Sequence, residues 1–325
     1  MTGAKRTGAE RGRVSDEPRP TDAGRVGGNR ELAGAEQEGE ERADSGTDGV
    51  RAGVERDEAT RRDSNALAAA AENPCARFLF VSGSRVAVEP GAERVLAVSA
   101  GCVAPEARRR AVYLGLVDGA PYFACDIGDA DDSARDPRVV SRAIPAASRP
   151  AAVAEGDERA WSVSADFASV PLTSHLWPSV EAELAVEAVA ISNWIGGTRF
   201  CHRCGEPLSL RSGGWEMVCG RGHTVFPRVD PAVIMAVRDA EDRLLLARNG
   251  RWAPGRLSVL AGFVEAGEPL ESAVAREVLE ETGVVVDDVA YVTSQPWPFP
   301  RSLMLAFEGR TRARQEDVKV DGEEL

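Results

Sequence analysis

The amino-acid sequence predicts an α+β protein in which two folded regions flank a compact cysteine-bearing module. Three observations lead to this prediction. Residues 75–197 contain short apolar runs typical of strands, followed by one helix-like stretch. Residues 229–325 combine strand-like runs with a second helix, and residues 198–228 contain three of the six cysteines. We therefore expect a small β-rich N-terminal domain over 75–197 and a mixed domain of strands and helix over 229–325.

The first 70 residues are predicted to form a disordered tail. Up to residue 66 they contain no aromatic side chain and few large aliphatic ones, so they cannot bury enough apolar area to offset the entropy of ordering. This stretch has 12 basic and 15 acidic residues, a net charge of −3, which leaves −10 of the chain's −13 on the rest. The acidity disfavours a protein that binds nucleic acid along a broad basic surface. It does not exclude an anionic substrate, because bound metal ions invert the local field.

Short apolar runs predict the strands of the N-terminal domain, and a 3.6-residue period predicts its helix. The strands are expected at 77–81, 85–88, 94–98, 111–117 and 121–125. Residues 128–160 are polar and rich in proline, which predicts a loop. The helix is expected over 179–195, because Gly196 and Gly197 follow its last apolar turn.

The C-terminal region carries apolar runs separated by turn residues, and one amphipathic helix. Strands are expected at 232–237, 243–247, 257–261, 284–286, 289–292 and 303–307. The helix is expected over 269–282, because Pro269 suits a first turn and Gly283 suits a left-handed C-terminal cap.

Three glutamates of this helix, Glu277, Glu280 and Glu281, fall at positions i, i+3 and i+4 and therefore share one face. Like charges at this spacing repel each other, which makes the arrangement unfavourable for an isolated helix. Hard divalent cations such as Mg²⁺ prefer oxygen ligands and would offset the repulsion. The alternative interpretation is a solvated acidic surface without a ligand.

The glutamates are part of a longer pattern, G-x5-E-x7-R-E-U-x-E-E-x-G-U, in which U is aliphatic. All nine fixed positions match: Gly262, Glu268, Arg276, Glu277, Val278, Glu280, Glu281, Gly283 and Val284. This pattern is the signature of the Nudix hydrolases, and the sequence resembles that family. The resemblance implies an α/β/α sandwich around a mixed sheet. It also implies hydrolysis of a nucleoside diphosphate that is linked to another moiety.

The same resemblance implies roles for individual residues. Glu277, Glu281 and the carbonyl group of Ala261 would be ligands of a catalytic Mg²⁺ or Mn²⁺ ion. Glu280 would act on the metal-bound or nucleophilic water, and Arg276 would orient the glutamates.

A proline-rich segment, SQPWPFPRS, occupies residues 294–302. Its three prolines restrict the backbone, and its two aromatic rings could pack on a base. The alternative is a rigid connector with two buried aromatic residues. The segment resembles the signature of the NADH pyrophosphatase branch of the Nudix family, in which a zinc ribbon directly precedes the Nudix domain. By that resemblance, the residues that line the dinucleotide site are Gln295, Pro296, Trp297, Pro298, Phe299, Pro300, Arg301, Ser302 and Phe226.

The cysteine-bearing module at 198–228 has the pattern Cys201-x2-Cys204, followed by Cys219-x3-His223. Three thiolates and one imidazole form an accepted tetrahedral zinc set. We therefore predict a zinc ribbon whose ion is structural and takes no part in bond cleavage. Two alternatives are a degenerate ribbon without metal and a redox-active CxxC pair.

The branch resemblance extends to the last residues of the sequence. An Asp-x-x-Glu-Leu stretch at 321–325 matches a position at which the branch supplies a further glutamate ligand for the catalytic metal. Glu324 occupies that position, in preference to Glu323. Because family members continue into a further helix, we expect the Nudix domain over 229–325 to be truncated at its C-terminal end.

These motifs predict a metal-dependent diphosphatase that converts NAD(H) and water to NMN(H) and AMP, and the same chemistry could remove NAD caps from RNA 5′ ends. One alternative is a broader diphosphatase for ADP-X substrates such as ADP-ribose. Another is a zinc-ribbon RNA-binding or regulatory protein with an inactive Nudix domain. The branch resemblance suggests a homodimer. Without a membrane-spanning apolar stretch or the apolar core of a secretory signal, we expect a cytoplasmic protein.

Overall fold

The computed structural model describes residues 53–128, 139–144, 163–249, 255–320 and 322, with backbone alone for 139–144 and 163–164. Residues 1–52 of the predicted tail lie outside this set. Residues 321 and 323–325 also lie outside it, and with them the predicted metal ligand Glu324. Across the described ranges, no helix combines the length and the apolar character needed to span a membrane.

The residues just before the N-terminal domain are helical, which corrects the predicted disorder of residues 53–70. Helix α1 (Glu58–Arg62) and helix α2 (Ser64–Glu72) are capped by Asp57 and Asp63, whose side chains accept backbone N–H groups of the first turn. Val54 is only 3% exposed, and Glu55 forms two backbone hydrogen bonds with Leu116. Composition misleads here because these residues dock on a core that is formed by distant parts of the chain.

The N-terminal domain is built on seven strands: β1 (Arg77–Ser82), β2 (Arg85–Val88), β3 (Val98–Ser99), β4 (Val112–Val117), β5 (Ala120–Asp126), β6 (Val139–Ile144) and β7 (Val163–Ser169). They form one sheet in the order β4-β5-β1-β2-β7-β6, with β3 beside β1. Strands β1 and β5 are parallel, and the other pairs are antiparallel.

This sheet differs from the sequence prediction in two places. The predicted loop over 128–160 contains strand β6, which pairs along its whole length with β7. The predicted strand over 94–98 is reduced to a bridge between Val95 and Val88 and to the short β3. The residues around β6 are rich in alanine, aspartate and proline, so the local pattern indicates a loop. The tertiary partner β7 overrides that local preference.

Helices cover both faces of the sheet. They are α3 (Pro105–Arg110), the short α4 (Val170–Thr173) and α5 (Ser179–Gly197), and α5 confirms the helix predicted over 179–195. Leu79 and Val81 of β1 pack in a core with α5, whereas Phe78 and Phe80 face a second core with α2 and α3. This division follows from the period-2 alternation of side chains along a strand.

The cysteine-bearing module forms a small antiparallel sheet of β8 (Leu208–Arg211), β9 (Glu216–Cys219) and β10 (Thr224–Val225). The turn between β8 and β9 carries Trp215, whose indole N–H donates to the carbonyl oxygen of Tyr113 in β4 at 2.7 Å. The guanidinium carbon of Arg61, in α1, lies 3.9 Å from the centre of the Trp215 ring. The module is therefore attached both to the N-terminal sheet and to α1.

The C-terminal domain has four strands, β11 (Asp230–Arg238), β12 (Leu260–Phe263), β13 (Asp287–Trp297) and β14 (Ser302–Arg310), and the helix α6 (Leu270–Thr282). The sheet order is β12-β11-β14-β13, and only β11 and β14 are parallel, so the sheet is mixed. Helix α6 packs through Val274 and Val278 in one core with Met235 of β11. It ends at Gly283, which has a left-handed φ of 69° as expected. The α+β fold class with a mixed sheet is confirmed.

Two predicted strands of this domain do not form among the described residues. Residues 243–247 contribute only isolated bridges at Leu244 and Ala247, and residues 284–286 precede β13. In contrast, β13 is longer than the predicted strand 289–292, because its pairing with β14 continues to Trp297. This extension incorporates the first half of the proline-rich segment into the sheet.

Candidate active site

Arg276, in the middle of α6, is the centre of a cluster of acidic side chains. Its guanidinium group donates to both carboxylate oxygens of Glu268, at 2.7 and 3.2 Å. It also donates to Glu277 and Glu280, each at 3.0 Å, and to the carbonyl oxygen of Phe263 at 3.0 Å. A single arginine can make these bonds because its planar group presents five donors. Arg276 thereby ties the loop after β12 to three glutamates.

The ion pairs in this cluster shift the pKa values of both partners. Hydrogen bonds from Arg276 and from the backbone N–H of Glu265 lower the pKa of Glu268, although burial opposes the shift. The hydrogen bond to Glu268 raises the pKa of Arg276, and the hydrogen bonds to Glu280 and Glu277 raise it further. Burial acts in the opposite direction and is outweighed. Both groups therefore stay charged through neutral pH, and Arg276 holds the loop against the helix.

Gly262, in β12, lies against the carboxylate group of Glu277. A β-carbon at position 262 would overlap that carboxylate, so another residue type would displace the loop or the glutamate. The glutamates of α6 differ in exposure: Glu281 is 5% exposed, whereas the side chain of Glu277 is 14% exposed and that of Glu280 is 59% exposed. Ala261 directly precedes Gly262 in β12, so its main chain adjoins this contact.

The types of donor group at this site suit a hard divalent cation. Carboxylate oxygens of Glu277 and Glu281 and a main-chain carbonyl group of β12 are the ligand types that Mg²⁺ and Mn²⁺ take. The missing side chain at Gly262 allows the strand and the helix to approach closely enough for both to contribute ligands. The described residues therefore suit the metal that the sequence resemblance implies.

The strand register aligns this loop with the proline-rich segment at the opposite edge of the sheet. Phe263 pairs with Ala232, Ala232 pairs with Met304, and Met304 pairs with Gln295. Paired residues project from the same face of a sheet, and three inter-strand spacings amount to about 14 Å. Phe263 and Gln295 thus lie at the same end of one sheet face, and this face is opposite to α6, because the neighbouring Gly262 faces Glu277.

Phe263 is a candidate binding residue that the sequence reasoning misses. Its side chain is 60% exposed, although its carbonyl oxygen is bound by Arg276. An exposed aromatic ring whose main chain adjoins the acidic cluster is available for stacking with a base. The signal in the sequence is an aromatic residue directly after the first glycine of the nine-position pattern.

The proline-rich segment forms the end of β13, a turn, and the start of β14. Gln295, Pro296 and Trp297 belong to β13, and Ser302 begins β14. The rings of Trp297 and Phe299 meet edge to face, with their centres 5.1 Å apart and an angle of 83° between their planes. The two aromatic residues therefore pack on each other at the tip of the segment.

A cavity of about 680 Å³ opens beside the segment, between α5, the cysteine-bearing module and the C-terminal sheet. The predicted substrate residues in its lining are Gln295, Pro296, Pro298, Arg301 and Ser302. The carboxylates of α6 are not part of this lining, and neither is Phe226, which is 62% exposed. The structure therefore brings five of the nine predicted substrate residues to one cavity and leaves the acidic cluster outside it.

The side chains of Cys201, Cys204, Cys219 and His223 come together, with their ligand atoms all within 4.8 Å of one another. The Cys204 Sγ lies 3.7 Å from the Cys219 Sγ and 3.4 Å from the His223 Nδ1. The Cys201 Sγ lies 3.6 Å from the same nitrogen. A tetrahedral ion with Zn–S bonds of about 2.3 Å has ligand–ligand edges of about 3.7 Å. The four groups therefore have the chemistry and the spacing that zinc requires.

Two family models match separate parts of the chain. A model described as the NUDIX domain matches residues 228–325. A model described as the NADH pyrophosphatase-like rudimentary NUDIX domain matches residues 75–194. The second match covers the N-terminal sheet and most of α5, and we call this part the NUDIX-like domain below.

Two curated mycobacterial relatives are similar over most of the chain, and an enterobacterial one over a shorter part. The NAD-capped RNA hydrolase NudC of Mycobacterium bovis (strain BCG / Pasteur 1173P2) is 38% identical over 275 residues, which are 84% of this chain and 79% of that relative. The protein of the same name from Mycobacterium tuberculosis (strain ATCC 25618 / H37Rv) has the same identity and coverage. The one from Salmonella heidelberg (strain SL476) is 48% identical over 144 residues, which are 44% of this chain and 55% of that relative.

Proposed function

Since this chain belongs to the Nudix hydrolase family, in its branch of NADH pyrophosphatase-like proteins, we propose that it hydrolyses the diphosphate bond of NAD(H) and of NAD caps on RNA. The products from NADH would be reduced nicotinamide mononucleotide and AMP. One observation carries the proposal: Phe263, which ends β12 next to the acidic cluster, and Gln295 of the proline-rich segment lie about 14 Å apart at the same end of the sheet. A dinucleotide has a central diphosphate between two nucleosides, so its diphosphate can lie at the carboxylates while one base reaches the segment.

The acidic cluster supplies the groups for diphosphate hydrolysis. Glu277, Glu281, the carbonyl group of Ala261 and Glu324 would hold Mg²⁺ or Mn²⁺. The ion, when bound, supplies positive charge that stabilises the developing negative charge on phosphate. The Glu280 side chain is 59% exposed and can accept the proton of the attacking water. Arg276 would hold Glu277 and Glu280 in position through the hydrogen bonds described above.

The aromatic and proline-rich residues would bind a nucleoside half of the substrate. We assign this role to residues 295–302 and to Phe226, as the branch resemblance implies, and add Phe263. Phe226 and Phe263 are 62% and 60% exposed, so both rings are accessible for stacking. Binding by rings on two sides of the diphosphate would fix the scissile bond next to the carboxylates.

The zinc ion that we propose in the ribbon would be structural. Cys201, Cys204, Cys219 and His223 fill all four positions of a tetrahedral ion, which leaves none for water or substrate. The ion would stabilise a small module whose apolar core is limited.

We also propose that the protein works as a homodimer in the cytoplasm. Phe200 and Val229 form part of the exposed surface at 63% and 62% exposure, and such apolar side chains suit burial between subunits. None of the six cysteines forms a disulfide bond, which suits a reducing compartment. Sedimentation equilibrium tests the assembly, and a monomer at micromolar concentration would contradict it.

The direct test is product analysis after incubation of the protein with NADH and either Mg²⁺ or Mn²⁺. We expect reduced nicotinamide mononucleotide and AMP in equal amounts from NADH. NAD-capped RNA should yield an RNA with a 5′ monophosphate end. Glu281→Gln should lower turnover by about 10³-fold or more with the fold retained. Glu271→Gln, on the same helix but outside the nine-position pattern, is the matched control and should stay active. Near-normal turnover of Glu281→Gln would overturn the assignment.

A second candidate function is hydrolysis of a broader class of ADP-X compounds such as ADP-ribose. The observation in its favour is that the cavity beside the proline-rich segment does not include the catalytic carboxylates. A diphosphate can therefore lie at the carboxylates while the cavity stays empty, as a smaller ADP-X substrate would need. Comparison of kcat/KM for NADH and ADP-ribose decides between the two, and a clear preference for ADP-ribose would favour the broader activity.

A further inference from the structure

The turn of the proline-rich segment is hydrogen-bonded to a residue outside its own domain. Pro296, Pro298 and Pro300 alternate with other residues in this turn, so three backbone positions have no N–H donor. At the far end, Arg301 is held by Asp230 through a side-chain bond of 2.5 Å and a backbone bond of 2.9 Å. The tip of the turn, at Pro298 and Phe299, is held differently.

Asn193 of α5 holds the tip. Its side-chain Nδ2 donates to the carbonyl oxygen of Pro298 at 3.2 Å, across 105 residues of sequence. Pro298 is buried, and a buried carbonyl group without a partner is unfavourable. The adjoining Phe299 packs against the core that α5 shares with the N-terminal sheet. The tip therefore rests on the NUDIX-like domain.

The hydrogen bond between Asn193 and Pro298 lies next to the cavity described above. Ala190 and Ile191, close to Asn193 in sequence, line the cavity together with Pro296 and Pro298 of the segment. The segment therefore borders solvent-accessible space on this side, and the bond from Asn193 and the packing of Phe299 join it to the NUDIX-like domain. Without the amide of Asn193, the turn could move toward α5 or away from it.

We propose that Asn193 is a positioning residue for substrate recognition, which holds the proline-rich segment in place through Pro298. The NUDIX-like domain carries no copy of the nine-position pattern between residues 75 and 194, and this bond gives it a part in the reaction of the other domain. The inference rests on the proposed function, because it takes residues 295–302 as the part of the site that favours NAD(H) over ADP-ribose.

The test compares Asn193→Leu, which removes the donor in a similar volume, with Asn193→Gln, which keeps an amide. For NADH, Asn193→Leu should raise KM about three- to tenfold, the value of one neutral hydrogen bond, while kcat stays within about twofold. For ADP-ribose both constants should stay near those of the wild type. Asn193→Gln should recover part of the NADH affinity. Asn193→Asp, which also lacks the donor, replaces the leucine variant if the latter does not fold.

The matched control is Asn65→Leu, at an exposed asparagine of α2, which should leave both substrates unaffected. An equal loss for NADH and ADP-ribose, or no change for either, would overturn the proposal. Hydrogen–deuterium exchange of residues 295–303 gives a readout that does not need activity. Faster exchange confined to this segment in Asn193→Leu supports the positioning role, and unchanged exchange contradicts it. A wild-type protein that cleaves no NADH would contradict the proposed function, while the exchange experiment still decides the role of Asn193.

Discussion

Gly262 and Glu277 are so close that a β-carbon at position 262 would overlap the Glu277 carboxylate. The glycine is therefore required by the approach of a strand to a helix, and its backbone conformation is not the reason. Because Glu277 is also bound by Arg276 at 3.0 Å, it cannot move aside without breaking an ion pair. This contact fixes the distance between the β12 main chain and the first glutamate of the acidic cluster.

Gly262→Ala should therefore lower kcat by about a hundredfold, because a displacement of about 1 Å at a catalytic group has an effect of that size. Steady-state NADH hydrolysis with saturating Mg²⁺ provides the measurement. Gly101→Ala is the control, since no atom lies within 4 Å of the added carbon there, and it should behave as the wild type. Equal activity of the two variants would mean that the carboxylate of Glu277 does not need its observed position.

Arg276→Lys should weaken the attachment of the loop after β12 to α6 and should also lower the rate of the reaction. A lysine offers one compact charge and cannot reach Glu268, Glu277 and Glu280 together, as the planar group of Arg276 does. We expect a loss of about 1–3 kcal/mol in the free energy of unfolding and a fall in kcat larger than that of Arg312→Lys. Urea unfolding and steady-state kinetics measure the two effects. A lysine variant with full activity would show that the fork of hydrogen bonds is dispensable.

Zinc analysis of the purified protein tests the ribbon. We expect stoichiometric zinc in the wild type and its loss in Cys204→Ala, together with a lower Tm, because three remaining ligands bind the ion weakly. Cys75→Ala, at an exposed cysteine, serves as the control and should retain the metal. Since the ion is proposed to be structural, the variant that remains folded should still hydrolyse NADH when Mg²⁺ is supplied. Zinc-free wild-type protein would leave the degenerate ribbon as the better interpretation.

Glu187, on α5, predicts a pH dependence of stability. Burial raises the pKa of its carboxyl group from an ordinary value of 4.5 to about 7. The nearby Arg56 and Arg61 lower the pKa, but they offset only part of the effect of burial. A raised pKa means that the folded state favours the protonated form. The stabilisation is complete below pH 4.5 and is lost as the pH rises through 7.

The measurement is the free energy of unfolding of the wild type and of Glu187→Gln between pH 4.5 and 8. The glutamine variant resembles the protonated form at every pH, so the difference between the two should shift in its favour by about 3 kcal/mol over this range. Any cost of leaving Arg61 without a charged partner is independent of pH and cancels in this comparison. Ser192→Ala on the same helix is the non-titrating control, and parallel curves for Glu187→Gln and wild type would refute the assignment.

The sequence was most informative where the determinants are local. Nine fixed positions within 23 residues predict α6, its left-handed cap at Gly283, and the gathering of Glu277 and Glu280 around Arg276. The spacing of Cys201 and Cys204 likewise predicts that these thiols meet Cys219 and His223, although zinc itself stays a prediction.

The sequence was least informative where a residue depends on a distant partner. Strand β6 needs β7, and α1 and α2 need the core of the N-terminal sheet. The bond from Asn193 to Pro298 joins residues that no local period relates. Phe263 lies next to the predicted pattern, yet only the strand register shows that it shares a face with Gln295.

The contact between Arg61 and Trp215 has a thermodynamic consequence for metal binding. Trp215 belongs to the hairpin whose second strand ends at Cys219, and Arg61 belongs to a helix that precedes the NUDIX-like domain. If zinc orders this hairpin, it strengthens the docking of α1, and docked α1 must strengthen zinc binding by the same factor, because coupling free energies are reciprocal. Chains that begin at residue 53 and at residue 75 should therefore differ in zinc affinity, although every metal ligand lies more than a hundred residues downstream of both starts.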